Sequence, residues 1–195
     1  MDMIPQWFKI AYTLVVLAFI VIYWQRYGPR NFLWFSDVAF IGAVPAMWLE
    51  SALISGVLAC MALLPEVFWN VDYGLRLLLR RRITGLTEYM FDPGIPRWLR
   101  GVSLFHVPLP LVLVWLVAAY GYPEVSLAVT AGTAAVVLAL SYLLSSREKN
   151  INWVFGLGRF KHRLPAPVYL GLLYLGMVFL GFLPTHWLLL RLFQG

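Results

Sequence analysis

Apolar residues run through this chain in long unbroken blocks, with the polar residues gathered between them. A membrane-spanning helix needs about 20 predominantly apolar residues. Six blocks fit, at roughly 5–25, 31–47, 50–70, 98–120, 123–146 and 166–190. The first contains "WFKIAYTLVVLAFIVIYW", and no small-residue cleavage site follows it, so no cleavable signal is expected. Only "WLES" divides the second block from the third, which predicts a tight helical hairpin. "YGYPE" divides the fourth from the fifth in the same way. No internal repeat or low-complexity segment interrupts the pattern.

The link after the third block, residues 71–97, is long. It opens with "VDYGLRLLLRRRITG", in which Leu75, Leu78, Leu79 and Ile83 recur at helical spacing among arginines. Two readings are open: a short basic helix lying on a membrane surface, or an arginine-rich continuation of the third helix. Pro93, Gly94 and Pro96 in "LTEYMFDPGIPRW" then predict a structured turn.

Composition sets the class. Of the 195 residues, 62% are hydrophobic and 12% charged, too little polar surface for a soluble domain of this size. The expected fold is all-α: one polytopic membrane bundle over 1–195, with about six transmembrane helices. Nine Trp and ten Tyr suit two interfacial belts. The net charge of +6 does not read as nucleic-acid binding, because its placement has a topological meaning. Arg26 and Arg30 follow the first helix. Arg76, Arg80, Arg81, Arg82, Arg97 and Arg100 lie between the third and fourth. Arg147, Lys149, Arg159, Lys161 and Arg163 lie between the fifth and sixth, leaving Lys9 and Arg191 for the other side. The positive-inside rule puts those three links in the cytoplasm and both termini outside. The lone Cys60 has no internal disulfide partner.

Ionisable groups inside hydrocarbon are costly and mark a bundle interior or a wet cavity. The second block carries Asp37 beside Ser36; the third carries Glu66, with Asn70 four residues on and so on the same helix face. The fourth carries His106, with Ser103 one turn before it. Asp37 lies seven residues in from Arg30 and His106 six in from Arg100, roughly 9–10 Å below the basic rim. Asn150, Asn152 and Trp153 precede the sixth helix on that side, so polar groups of four segments share the cytoplasmic half. Glu50, Glu124 and His186 fall at the outer rim. Pro108 and Pro110 lack an N–H, which strips the carbonyls of Leu104 and His106 of their helical donors. A carboxylate meeting His106 would fix its tautomer and equip it for general acid–base work, with Asp37 the favoured partner.

Plainer readings stand beside these. His106 can be a ring bonded to Ser103 or a carbonyl, Asp37 a helix clamp, Glu66 the partner of an arginine, and Asn152 a loop pin. Trp34, Trp69 and Trp153 suit an interfacial belt. Three histidines, with His162 and His186 far from His106 in the sequence plan, make no metal site, and no phosphate or dinucleotide loop is present. No cofactor is expected.

The segments "NFLWFSD", "LLPEVFWN", "YMFDPGIP", "SLFHV" and "NINWVFG", in this order, resemble a family of small bacterial polytopic inner-membrane proteins over nearly the whole chain. That resemblance implies a multi-pass protein of the bacterial inner membrane and carries no activity with it. At the level of plan alone, the chain is also similar to intramembrane enzymes that acylate or deacylate lipids.

Three functions follow. In the first, an enzyme acts on a lipid or amphiphile by acyl transfer or hydrolysis. His106 is its acid or base, Asp37 the orienting group, Ser36 a nucleophile and Glu66 a further catalytic acid. Asn70, Asn152, Trp153, Arg80, Arg81 and Arg100 would bind the substrate, the arginines attracting an anionic headgroup. In the second, Asp37, Glu66 and His106 relay protons in a transporter, against which stands the lack of an outer polar track. In the third, the polar cluster is glue in a scaffold. The compatible partners are membrane lipids, an amphiphilic substrate, and a second copy or partner subunit.

Overall fold

The computed structural model of the chain describes residues 3–157 and 164–194. Arg159, Lys161, His162 and Arg163 of the last basic link lie outside them. Among the described residues every regular element is helical: α1 (Gln6–Tyr27), α2 (Phe35–Trp48), α3 (Ala52–Leu79), α4 (Arg97–Val102), α5 (Leu109–Tyr120), α6 (Ser126–Leu144), α7 (Ala166–Gly176) and α8 (Leu183–Phe193). A π-helical stretch, Met177–Phe182, joins α7 to α8. Five segments are long and apolar enough to cross a membrane: α1, α3, the 97–120 segment, α6 and the 166–193 segment. The apolar α2 is shorter.

Where the edges differ from the sequence pattern, local chemistry explains it. Pro29 opens a 3-10 turn, Pro29–Leu33, so α2 starts only at Phe35. α3 runs on to Leu79 and ends at Arg80 in the left-handed conformation, φ 51°. The link therefore continues the third helix as far as Leu79, and Arg80, Arg81 and Arg82 lie beyond its last helical turn. The fourth block is broken into α4, a 3-10 turn Ser103–His106, and α5. The two prolines cause the break. The Leu104 carbonyl turns to the Val107 N–H at 2.9 Å, and the His106 carbonyl accepts instead from Asn70 Nδ2 at 2.8 Å.

α3 is the central helix and packs against α2, α5, α6 and α8. Close approach between helix backbones requires small residues at the contact. The small residues Ser55, Gly56, Ala59, Cys60 and Ala62 permit it, all at 1% exposure or less apart from the buried Gly56. A Cβ at Gly56 would collide with the Ser126 hydroxyl. Ala39, Ala43, Leu113 and Leu116 complete a dry middle layer.

The two ends of the bundle are distinct. Lys9 Nζ pairs with Glu50 at 2.6 Å, and Gln194 bonds the Tyr122 carbonyl. Both chain ends and the α2–α3 and α5–α6 turns thus share one end. At the other, Arg26 lies over the Trp98 ring at 5.1 Å, and Lys149 Nζ donates to the Tyr27 carbonyl at 2.7 Å. This is the basic end.

Candidate functional site

The break in the fourth block brings His106 against α3. Its Nδ1 lies 2.7 Å from Glu66 Oε2, and the two side chains are 11% and 4% exposed. The ring is sandwiched. Trp69 stacks on it with centroids 4.5 Å apart at 17°, and Phe105 at 4.2 Å and 24°. Asn70 fixes the backbone beneath by donating to the carbonyls of Glu66 and His106 at 2.9 and 2.8 Å. The sequence spacing accounts for this set: Glu66, Trp69 and Asn70 lie at i, i+3 and i+4 on one helix face. With Glu66 ionised, Nδ1 donates to it and Nε2 is left as the basic nitrogen. Among the described residues Nε2 has no hydrogen-bond partner.

The carboxylate that meets His106 is therefore Glu66 and not the favoured Asp37, and Glu66 does not pair with an arginine. Asp37, 3% exposed, takes a hydrogen bond from Asn31 Nδ2 at 3.0 Å and stands close enough to Glu66 for their charges to interact. Asn31 reaches it because the 3-10 turn folds back over the first turn of α2. Ser103 bonds neither His106 nor a carbonyl; its hydroxyl meets the Tyr23 hydroxyl at 2.6 Å. Tyr89, from the 3-10 turn Glu88–Phe91, comes near Ser103 and Trp69, and burial pushes its phenol far above the ordinary tyrosine range. It stays a neutral hydroxyl.

The other sequence candidates divide. Ser36 is half-buried and makes no hydrogen bond with His106. Asn152 spends both amide protons on the Leu33 carbonyl (2.7 Å) and Ser141 Oγ (3.0 Å), and its oxygen accepts from the Phe35 N–H. It pins the loop, with no donor left for a ligand. Trp153 faces an apolar cleft of about 390 Å³ with Pro65 and Phe68, and its ring edge meets Trp34. Arg80 and Arg81 are exposed at the end of α3. Arg100 donates to the Met90 carbonyl at 2.9 Å and lines a groove of about 290 Å³ with Tyr73 and Arg97. Tyr73 stacks on Trp69 at 5.1 Å, so a ladder of rings connects groove and histidine.

Asp72 escaped the sequence reading. It accepts four bonds, from the N–H and hydroxyl of Thr84 (2.9 and 2.7 Å) and of Thr87 (3.1 and 2.6 Å). It folds the loop that carries Tyr89 and Met90 over the site. The two threonines three residues apart, set after an arginine-rich helix end, were the available signal. At the opposite end, Glu50 and Glu124 are exposed, as the pattern implied, but His186 is not at a wet rim. It is 9% exposed, with Nδ1 2.8 Å from the Tyr122 hydroxyl. Among the described residues, His, Cys, Asp and Glu do not gather in threes to hold a metal ion.

No protein-family model, no curated protein and no solved structure matches the chain.

Proposed function

We propose that the protein is a multi-pass enzyme of the bacterial inner membrane that works on a lipid or amphiphile from the cytoplasmic leaflet. The basic end would face the cytoplasm and both termini the outside, in line with the positive-inside rule. The observation that carries the reading is the His106 Nδ1–Glu66 Oε2 contact of 2.7 Å, with Nε2 unpartnered among the described residues.

A carboxylate on one imidazole nitrogen orients the ring and stabilises the imidazolium formed when the other takes a proton. Nε2 would remove a proton from water or from a substrate hydroxyl. The resulting oxygen attacks an acyl carbonyl. The imidazolium then returns the proton to the departing alkoxide, which completes hydrolysis or transfer. Ser36 has no bond to His106, so the nucleophile in this scheme is water or the acceptor substrate. Asp37 sits beside the pair as a second buried acid, and Asn70 holds the broken helix in register.

The test is reconstitution of the whole chain into vesicles of bacterial phospholipid, with acyl-chain release and redistribution followed by mass spectrometry. Conversion that disappears in His106→Ala, while the variant stays folded, supports the reading. Conversion unaffected by His106→Ala, or none with any phospholipid, overturns it.

A further inference from the structure

Arg97 and Arg100 line the groove at the basic end, and Arg76 stands one turn along α3 from its Tyr73 wall. Arg76 Nη1 and Arg100 Nε are buried nitrogens that meet no acceptor among the described residues. Neither they nor Arg97 form an ion pair there; the described pairs are Lys9–Glu50, Arg82–Glu88 and His106–Glu66. A buried N–H without an acceptor loses its hydration without compensation, and more so in a charged group. Here the placement is fixed. Tyr73 and Arg76 share a face of α3, the Arg76 guanidinium lies 4.3 Å over the Phe91 ring, and Arg100 is tethered to Met90.

We infer that this groove docks the phosphomonoester headgroup of an anionic amphiphile. Arginine forks match phosphate oxygens, and a phosphate offers enough acceptors for more than one guanidinium. The walls match the rest of such a molecule. Leu104 and Met90 are apolar. The volume of about 290 Å³ suits a headgroup and not a whole lipid. Six residues part Arg100 from His106, roughly 9–12 Å of helical rise, so a docked headgroup leaves its acyl linkage near the imidazole. The inference rests on the enzyme reading for its choice of an amphiphile, while the docking itself needs no turnover.

The experiment titrates the purified chain in neutral detergent with short-chain phosphatidic acid, with phosphatidylcholine of equal chain length, and with inorganic phosphate, using tryptophan fluorescence. Saturable binding of phosphatidic acid, at least tenfold tighter than phosphatidylcholine and inorganic phosphate, is the expected result. Arg100→Gln weakens it about tenfold or more. Arg97→Gln, at an exposed side chain that supports no loop, weakens it several-fold, and Arg147→Gln, at an exposed side chain outside the groove, leaves it unchanged. His106→Ala keeps the binding, which separates this inference from the catalytic one. Equal losses in Arg147→Gln and Arg100→Gln would mean diffuse surface charge and overturn the site. Inorganic phosphate binding as tightly as phosphatidic acid would overturn the amphiphile.

Discussion

Among the described residues two histidines sit in the bundle, one toward each end, and they keep different company. His106 has a carboxylate on Nδ1, aromatic rings on both faces and a basic groove nearby. His186 has a tyrosine hydroxyl on Nδ1 and lies in a packed corner closed by the contact of Gln194 with the Tyr122 carbonyl. A phenol can satisfy a buried ring but does not stabilise its charged form as an anion does. The His186 set thus reads as an internal clamp. Only the His106 set has the parts for proton transfer. Burial of a titratable ring is not the discriminating fact; the partner on Nδ1 is.

The largest expected difference is in turnover. Glu66→Gln and His106→Ala are each expected to lower conversion of the lipid substrate by about 10²–10⁴-fold, whereas His186→Ala and Tyr122→Phe leave it within a few-fold. Rates measured in vesicles, with thermal unfolding as a check on folding, decide this. Equal losses at both histidines would erase the contrast.

Next comes the loop that roofs the site. Asp72→Asn removes the charge from an acceptor of four hydrogen bonds and is expected to cost about 2–3 kcal/mol. Cleavage by an added protease should rise within residues 81–96, and phosphatidic acid binding should weaken with it. Asn152→Ala, which cuts three bonds between the 150–153 turn, α6 and the start of α2, is expected to cost about 1–3 kcal/mol. It should leave phosphatidic acid binding intact, because none of its polar atoms faces the groove. The smallest effect is at the clamp: Tyr122→Phe is expected to lower stability by about 1 kcal/mol with no functional loss.

The helical plan was readable because apolar runs of spanning length admit few alternatives, and the charge asymmetry divided the links between two ends. The effect of the two prolines was readable as well, since a missing N–H has the same consequence in any fold: the His106 carbonyl sought another donor and found Asn70. What the sequence left open was pairing between elements. Asp37 and Glu66 stand at similar depth near the basic end, so rise per residue could not rank them as partners for His106. Rotation about α3 decides, and it depends on the packing of Ala39, Ala43, Ala59 and Ala62. Asn31 was hidden for a related reason. The 3-10 turn after Pro29 shortens α2 and swings Asn31 back onto Asp37. Asp72 looked like one more polar residue in a basic link until α3 proved to continue past it.

The most direct test is the state of the His106 ring in the intact membrane-reconstituted protein, by ¹⁵N resonances of labelled imidazoles assigned with His106→Gln. The account predicts Nδ1 protonated toward Glu66 and Nε2 a bare imine nitrogen that shifts when substrate lipid is added, with the pattern lost in Glu66→Gln. A proton fixed on Nε2, or a His106 spectrum unchanged by Glu66→Gln, would contradict it.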